Sequence, residues 1–123
     1  MSDRRRQTAE RVAHVLRGRR HDFYKLEGHE AVPATLEEMG HALEDKDART
    51  VARTETDNGV VSTVFLCINH SYAAGDPPLL FETLVMGGTF DDAQVRYTTW
   101  DEAVAGHAEM VRRITVGPNR RVP

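Results

Sequence analysis

The sequence predicts an α+β fold: a four- to five-stranded, mostly antiparallel sheet with two helices on one face, preceded by a basic N-terminal arm or short helix. Three observations predict it. Residues 60–70 and 79–86 are two apolar, β-branched runs, bounded by Asp57-Asn58-Gly59, by a loop holding Gly75, Pro77 and Pro78, and by Gly87-Gly88. Two helical patterns each open on a threonine followed three residues later by a glutamate, Thr35 with Glu38 and Thr99 with Glu102, which is the signature of a capping box. The first 21 residues carry seven arginines against Asp3 and Glu10, a net +5, which leaves −8 on the rest of a chain whose total is −3.

Residues 7–20 carry a narrow apolar stripe, Ala9, Val12, Val15 and Leu16, that Gly18 and the following arginines end. A helix this short needs a partner surface. Residues 23–26 and 31–32 read as a strand, a turn at Glu27-Gly28 and a return that Pro33 stops. A helix follows at 35–45, with Leu36, Met39 and Leu43 on one side and Gly40 as its weak point. Residues 49–56 form the next strand. Asn58-Gly59 signals a two-residue hairpin loop, because both central positions of such a turn need positive φ. That loop pairs Asp57 with Val60 and sets Arg53 opposite Val64. Arg53 then shares a face with Val51, Val64, Leu66, Ile68 and His70. Ala52, Thr54, Val61, Thr63, Phe65 and Cys67 take the other face.

Both faces are substantially apolar, so both are expected to be covered, one by helices and the other by a second copy of the chain. A short strand at 95–98 puts Arg96 and Tyr97 on opposite faces. The last helix, 100–114, carries Val104, His107, Val111 and Ile114 on one side and Arg112 and Arg113 near its negative end. Gly117-Pro118 stops it. The expected organisation is an arm at 1–21, one α+β domain at 22–115 and a loose tail at 116–123.

With 123 residues and 40% hydrophobic content, one modest core is expected. No run approaches about 18 apolar residues, so no membrane span is expected, and the arginine-rich start lacks the apolar stretch of a secretory signal. One cysteine excludes an internal disulfide; Cys67 reads as a small core hydrophobe. A cytoplasmic protein without a cofactor is the expectation.

Two groups of residues are candidates for chemistry. His70, Glu82 and His107 are the types that bind zinc or move protons. No local ligand spacing supports a metal site, however, and the plainer reading is a core histidine plus a buried pair of Glu82 with Arg53 or Arg96. Arg53, Arg96, Tyr97 and Trp100 are the types a nucleotide pocket needs, forks for phosphate and rings for bases, with His70 nearby. The plainer reading there is a surface ion pair and an aromatic core anchor. Neither a glycine-rich phosphate loop nor a Ser-His-Asp arrangement is present.

The runs Val61-Ser62-Thr63-Val64-Phe65-Leu66, Asn69-His70, Pro78-Leu79-Leu80-Phe81-Glu82-Thr83, Arg96-Tyr97, Thr99-Trp100-Asp101-Glu102-Ala103 and Gly106-His107 together resemble a small, uncharacterised domain family of phages and prophages. The resemblance spans about residues 23–112 and leaves out the basic arm. Where this chain has Cys67 and Asn69, the family pattern has Gly and Asp. The resemblance implies a phage origin, action in the host cytoplasm, and an analogy at the level of class to anti-defence sponge proteins, which bind cyclic nucleotide or cyclic ADP-ribose-type immune signals without cleaving them.

The expected function is therefore non-enzymatic sequestration of such a signal by a homo-oligomer, with Arg53, His70, Arg96, Tyr97 and Trp100 as ligand contacts. Two other readings stand beside it. One is a metal-dependent hydrolase using His70, Glu82 and His107. The other is an inhibitor of a host factor, whose Arg4, Arg5, Arg6, Arg17, Arg19 and Arg20 would touch nucleic acid or an acidic partner.

Overall fold

A computed structural model describes residues 21–73 and 75–116. The stripe at 7–20, the arginines of the arm and nearly all of the tail lie outside the described residues. Strands β1 (Tyr24–Glu27) and β2 (Glu30–Pro33) form a two-stranded antiparallel sheet. Helix α1 (Leu36–Glu44) and the short helix α2 (Lys46–Arg49) follow. Strands β3 (Thr50–Thr56), β4 (Gly59–Phe65), β5 (Phe81–Met86) and β6 (Gln94–Tyr97) make a four-stranded antiparallel sheet in chain order. Helix α3 (Trp100–Val116) packs across all four of those strands. The α+β class and the antiparallel meander are as expected, and the 23–33 hairpin is a separate small sheet. Among the described residues no helix is long and apolar enough to cross a membrane.

Both capping boxes form. Thr35 Oγ1 accepts from the Glu38 amide at 3.1 Å, and Glu38 Oε1 accepts from the Thr35 amide at 3.0 Å. Glu38 also accepts from Lys25 Nζ of β1, so one carboxylate ties the hairpin to the start of α1. That hydrogen bond is the main reason its carboxyl is held down at about 2. At α3, the Glu102 amide donates to Thr99 Oγ1 at 3.1 Å, and Glu102 Oε1 accepts from the Thr99 amide at 3.0 Å. Helix α2 was not expected; Asp45 Oδ1 caps it by accepting from the Ala48 amide at 3.0 Å.

Two expectations about the strands are corrected. The β3–β4 turn holds Asp57 and Asn58, with Thr56 paired to Gly59, so Arg53 faces Ser62 instead of Val64. The positive φ falls on Gly59 alone, at 123°, and the Asn58 side chain is engaged elsewhere. Its Oδ1 accepts from the Thr89 amide at 3.0 Å, and its Nδ2 donates to the Ile114 carbonyl at 3.1 Å. The shift is by two residues, so within the ladder the face assignments survive except at Val51, where the register breaks between Thr50 and Ala52; Leu66, Ile68 and His70 lie past the end of β4 and do not extend the Arg53 face. The second correction concerns strand length. β4 ends at Phe65 because Cys67 adopts φ 66°, which turns the chain out of the ladder. Ile68 then bridges to Phe23.

The core lies between the sheet and the helices. One lobe gathers Tyr24, Met39, Phe65, Cys67, Leu80, Phe81 and Ala103. The other gathers Val61, Val85, Met110 and Ile114. Cys67 is fully buried, as expected. The opposite face of the sheet carries half-buried Val60, Ser62, Val64, Glu82 and Leu84, with Arg53, Glu55 and Met86 exposed. Among the described residues nothing covers it, and helices cover the other side, as expected.

The Asn58-Gly59 turn sits against Gly87-Gly88. A Cβ built on Gly88 would lie 2.1 Å from the Asn58 carbonyl oxygen, and Gly88 has φ 72°. Backbone is in the way, and the conformation itself disfavours a side chain. Gly88→Ala is expected to destabilise the fold by about 2 kcal/mol or more, read as a lower urea midpoint at unchanged slope.

Candidate functional site

One line of polar side chains crosses the whole sheet beneath α3. Thr54 on β3, Thr63 on β4, Thr83 on β5 and Tyr97 on β6 project toward His107 of α3. His107 Nε2 lies 2.8 Å from Thr54 Oγ1, and its Nδ1 lies 2.7 Å from Thr63 Oγ1. Thr63 and Thr83 are opposite partners in the ladder, with hydroxyls 2.5 Å apart. Tyr97 donates to Thr83 Oγ1 at 3.1 Å.

Each hydroxyl has one hydrogen to give and two lone pairs to accept with, so the line closes in either sense at the histidine. With Thr63 donating to Nδ1, Nε2–H donates to Thr54; with Nδ1–H donating to Thr63, Thr54 donates to Nε2. The neutral ring is paired at both nitrogens in either tautomer. Burial pushes the His107 pKa below its ordinary 6.5, because no anion there compensates the charged form. Thr63 and Thr83 are fully buried and His107 is 6% exposed. The imidazole is thus a satisfied core group, with both nitrogens occupied.

Of the other two titratable candidates, Glu82 is engaged through its side chain and His70 is held through its backbone. Glu82 Oε2 accepts from Arg96 Nε at 2.9 Å on the uncovered face, and the two side chains are 16% and 25% exposed. Glu82 and His107 therefore lie on opposite sides of the sheet, so they cannot share a metal ion. Among the described residues no cluster of three His, Cys, Asp or Glu side chains is suited to hold one. His70 lies in the loop after Cys67, half-buried, with its amide donating to the Leu79 carbonyl at 3.0 Å.

The expected phosphate-and-base group is divided. Arg53 and Arg96 share the uncovered face but stand on the two edge strands, three strand spacings or about 14 Å apart. Among the described residues Arg53 pairs with Glu55 alone, at 2.9 Å, and both are well exposed. Tyr97 and Trp100 lie on the helix side. Tyr97 presses on α3, where a Cβ at Gly106 would come within 2.2 Å of its ring. The Trp100 ring stacks on His29, with centroids 3.8 Å apart and planes 5° from parallel, and meets Phe81 edge-on. The four do not converge on one cavity.

Three residues that matter here had little signal in the sequence. Asn69 clamps the long loop: its Oδ1 accepts from the Ser71 amide at 2.9 Å and the Leu79 amide at 3.1 Å, while Nδ2 donates to the His21 carbonyl at 3.3 Å. An aspartate there would keep the first two bonds and lose the third. Arg49 reaches inward, donating from Nε to the Phe65 carbonyl at 3.0 Å and from Nη1 to the Leu43 carbonyl at 3.1 Å. Burial pushes the Cys67 thiol up, and the Arg49 charge beside it works the other way. His29 pairs with Trp100 across 71 positions of chain, a distance no local pattern spans. Compared with models of known protein families, with curated proteins and with solved structures, the chain matches none.

The buried line sets two expected outcomes. His107 is neutral in the fold, so the unfolded chain binds more protons below pH 6.5. Stability contributed by the neutral imidazole is complete above that value and is lost as pH falls from there toward the lowered folded pKa. Urea titrations between about pH 7.5 and 5 should show this loss, and His107→Gln should flatten it. Gly106→Ala gains helix propensity but collides with Tyr97 and is expected to cost about 1–2 kcal/mol net. In a Tyr97→Leu background the same change should be neutral or stabilising, a sign change that a double-mutant cycle reads directly.

Proposed function

We propose that the chain is a phage-encoded binding protein without catalytic activity, which works as a homo-oligomer and sequesters a nucleotide-derived immune signal. One observation carries the non-enzymatic part. Two of the three acid–base candidates, Glu82 and His107, are committed to internal partners, on opposite sides of the sheet from each other, and His70 lies apart from both in the loop after Cys67. A general acid or base needs a free proton site within reach of a substrate, and neither group offers one.

The uncovered sheet face supports the binding part. It carries Arg53 and Arg96 around the half-buried Val60, Val64 and Leu84. The Arg53–Glu55 pair is exposed, and such pairs contribute little, so a phosphate displaces Glu55 at small cost. Arg96 is bound to Glu82 through Nε, which aims the guanidinium along the face. A second copy packed face to face would lie about 10 Å away and would enclose both arginines. Tyr97 and Trp100 have no part in this reading, because their rings are on the helix side.

Isothermal titration of the full chain against cyclic mononucleotides, cyclic dinucleotides and cyclic ADP-ribose-type molecules tests it, alongside the mass in solution. Heat with at least one of them is expected, with the ligand recovered intact by chromatography. Arg53→Gln and Arg96→Gln should each weaken binding by about tenfold, the loss of one charge-assisted contact. No heat from any ligand on a folded oligomer overturns the binding reading. A cleaved ligand overturns the non-enzymatic one.

A further inference from the structure

Between the β1–β2 hairpin and the start of α3 lies a cleft of about 300 Å³, walled by Tyr24, His29, Ala31, Leu80 and Trp100, with Glu30 at its side. It is separate from the open sheet face, so its occupant is independent of any ligand bound there. Three of its nine wall residues, Tyr24, His29 and Trp100, are aromatic. Trp100 is half-buried and stacked with His29, and Tyr24 is 8% exposed. Aromatic rings present negative faces that attract a cation, most of all a guanidinium.

The charge around the cleft points the same way. Glu30 stands directly opposite Glu27 across the hairpin, both exposed, and neither has an ion-pair partner among the described residues. Like charges opposite each other destabilise a strand pair, and a cation between them relieves it. The positive end of α3 does not oppose this. Its first turn carries Asp101 and Glu102, and Glu102 already caps the exposed amides.

The sequence holds cations close by. His21, the first described residue, packs edge-on against Tyr24 of the cleft wall with ring centroids 6.4 Å apart. Arg20, Arg19 and Arg17 are one, two and four positions before His21. Four extended residues span at most about 14 Å, enough to reach around a cleft of this size. A tether this short gives an effective concentration in the millimolar range, so weak contacts suffice.

We propose that this cleft is the docking site of the chain's own N-terminal segment, entered by a guanidinium from Arg17, Arg19 or Arg20 that lies against Trp100 and faces Glu30. The arm neutralises the acidic hairpin and shields the cleft.

Trp100 is the only tryptophan, so its fluorescence reads the cleft directly. Full-length protein is compared with Arg17→Ser/Arg19→Ser/Arg20→Ser and with Glu30→Gln, all checked for unchanged circular dichroism. Both variants should show red-shifted emission and a larger acrylamide quenching constant. Raising salt should move the wild type toward them, because a paired exposed charge is screened. A peptide of residues 8–20 added to the triple variant should restore protection. Identical emission and quenching in the wild type and the triple variant overturns the proposal. Protection that disappears on dilution, with the oligomer, assigns the cleft to the arm of another copy and overturns docking within one chain.

Discussion

The contact on which the rest depends is the Thr63–Thr83 hydroxyl pair and the imidazole above it. Two threonines are buried completely in the middle of an apolar sheet face, and they are tolerable only because each finds its partners there. This sets the register between β4 and β5, since a slip of either strand by one residue would carry its hydroxyl to the other face and leave the partner unpaired. It sets the rotation of α3, since His107 must point down at that spot. It reaches both sheet edges through Thr54 and Tyr97. The apolar core is split by this belt into two lobes, and the two central strands that cross it contribute to both. Val61 and Phe65 flank Thr63 on β4, and Phe81 and Val85 flank Thr83 on β5. In the low-dielectric interior a fully satisfied line of this kind is stronger than the same bonds in water.

The two sides of the sheet consequently do different work. The helix side is a closed system of apolar lobes and matched polar groups. The uncovered side has half-buried aliphatic residues between two arginine–glutamate pairs, one well exposed and one mostly shielded. On the Arg53 edge its ion pair among the described residues, Arg53 with Glu55, is open to solvent. The hairpin cleft differs from it in being aromatic, acidic and close to where the basic segment joins the body.

Much of this was legible in the residues. Thr35 with Glu38 and Thr99 with Glu102 announced both long helices, because capping chemistry is local and stereotyped. The opposite orientation of Arg96 and Tyr97 followed from strand alternation alone, as did the pairing of Glu82 with an arginine. What was not legible depends on partners distant in the chain. The register of the Asn58-Gly59 turn was displaced because Asn58 bonds to Thr89 and Ile114, neither of which a local turn rule contains. The end of β4 was misplaced because Cys67 takes a positive φ that its residue type disfavours. Arg53, Arg96, Tyr97 and Trp100 looked like one group by chemistry, and alternation in the elements that carry them sent the arginines and the rings to opposite sides.

Asn58 also bears on how the molecule ages. An asparagine followed by glycine is the dipeptide most open to attack of the next backbone nitrogen on the side-chain amide, which ends in aspartate or isoaspartate. Here that amide is held at both ends, and Gly59 is fixed in the ladder, so the attack geometry is withheld while the turn stays closed. Once converted, the side chain can no longer donate to the Ile114 carbonyl. It places a negative charge at the end of α3, where the helix dipole is least tolerant of one. Conversion at Asn58 therefore waits on opening of this turn, where one side chain joins two hairpins and a helix.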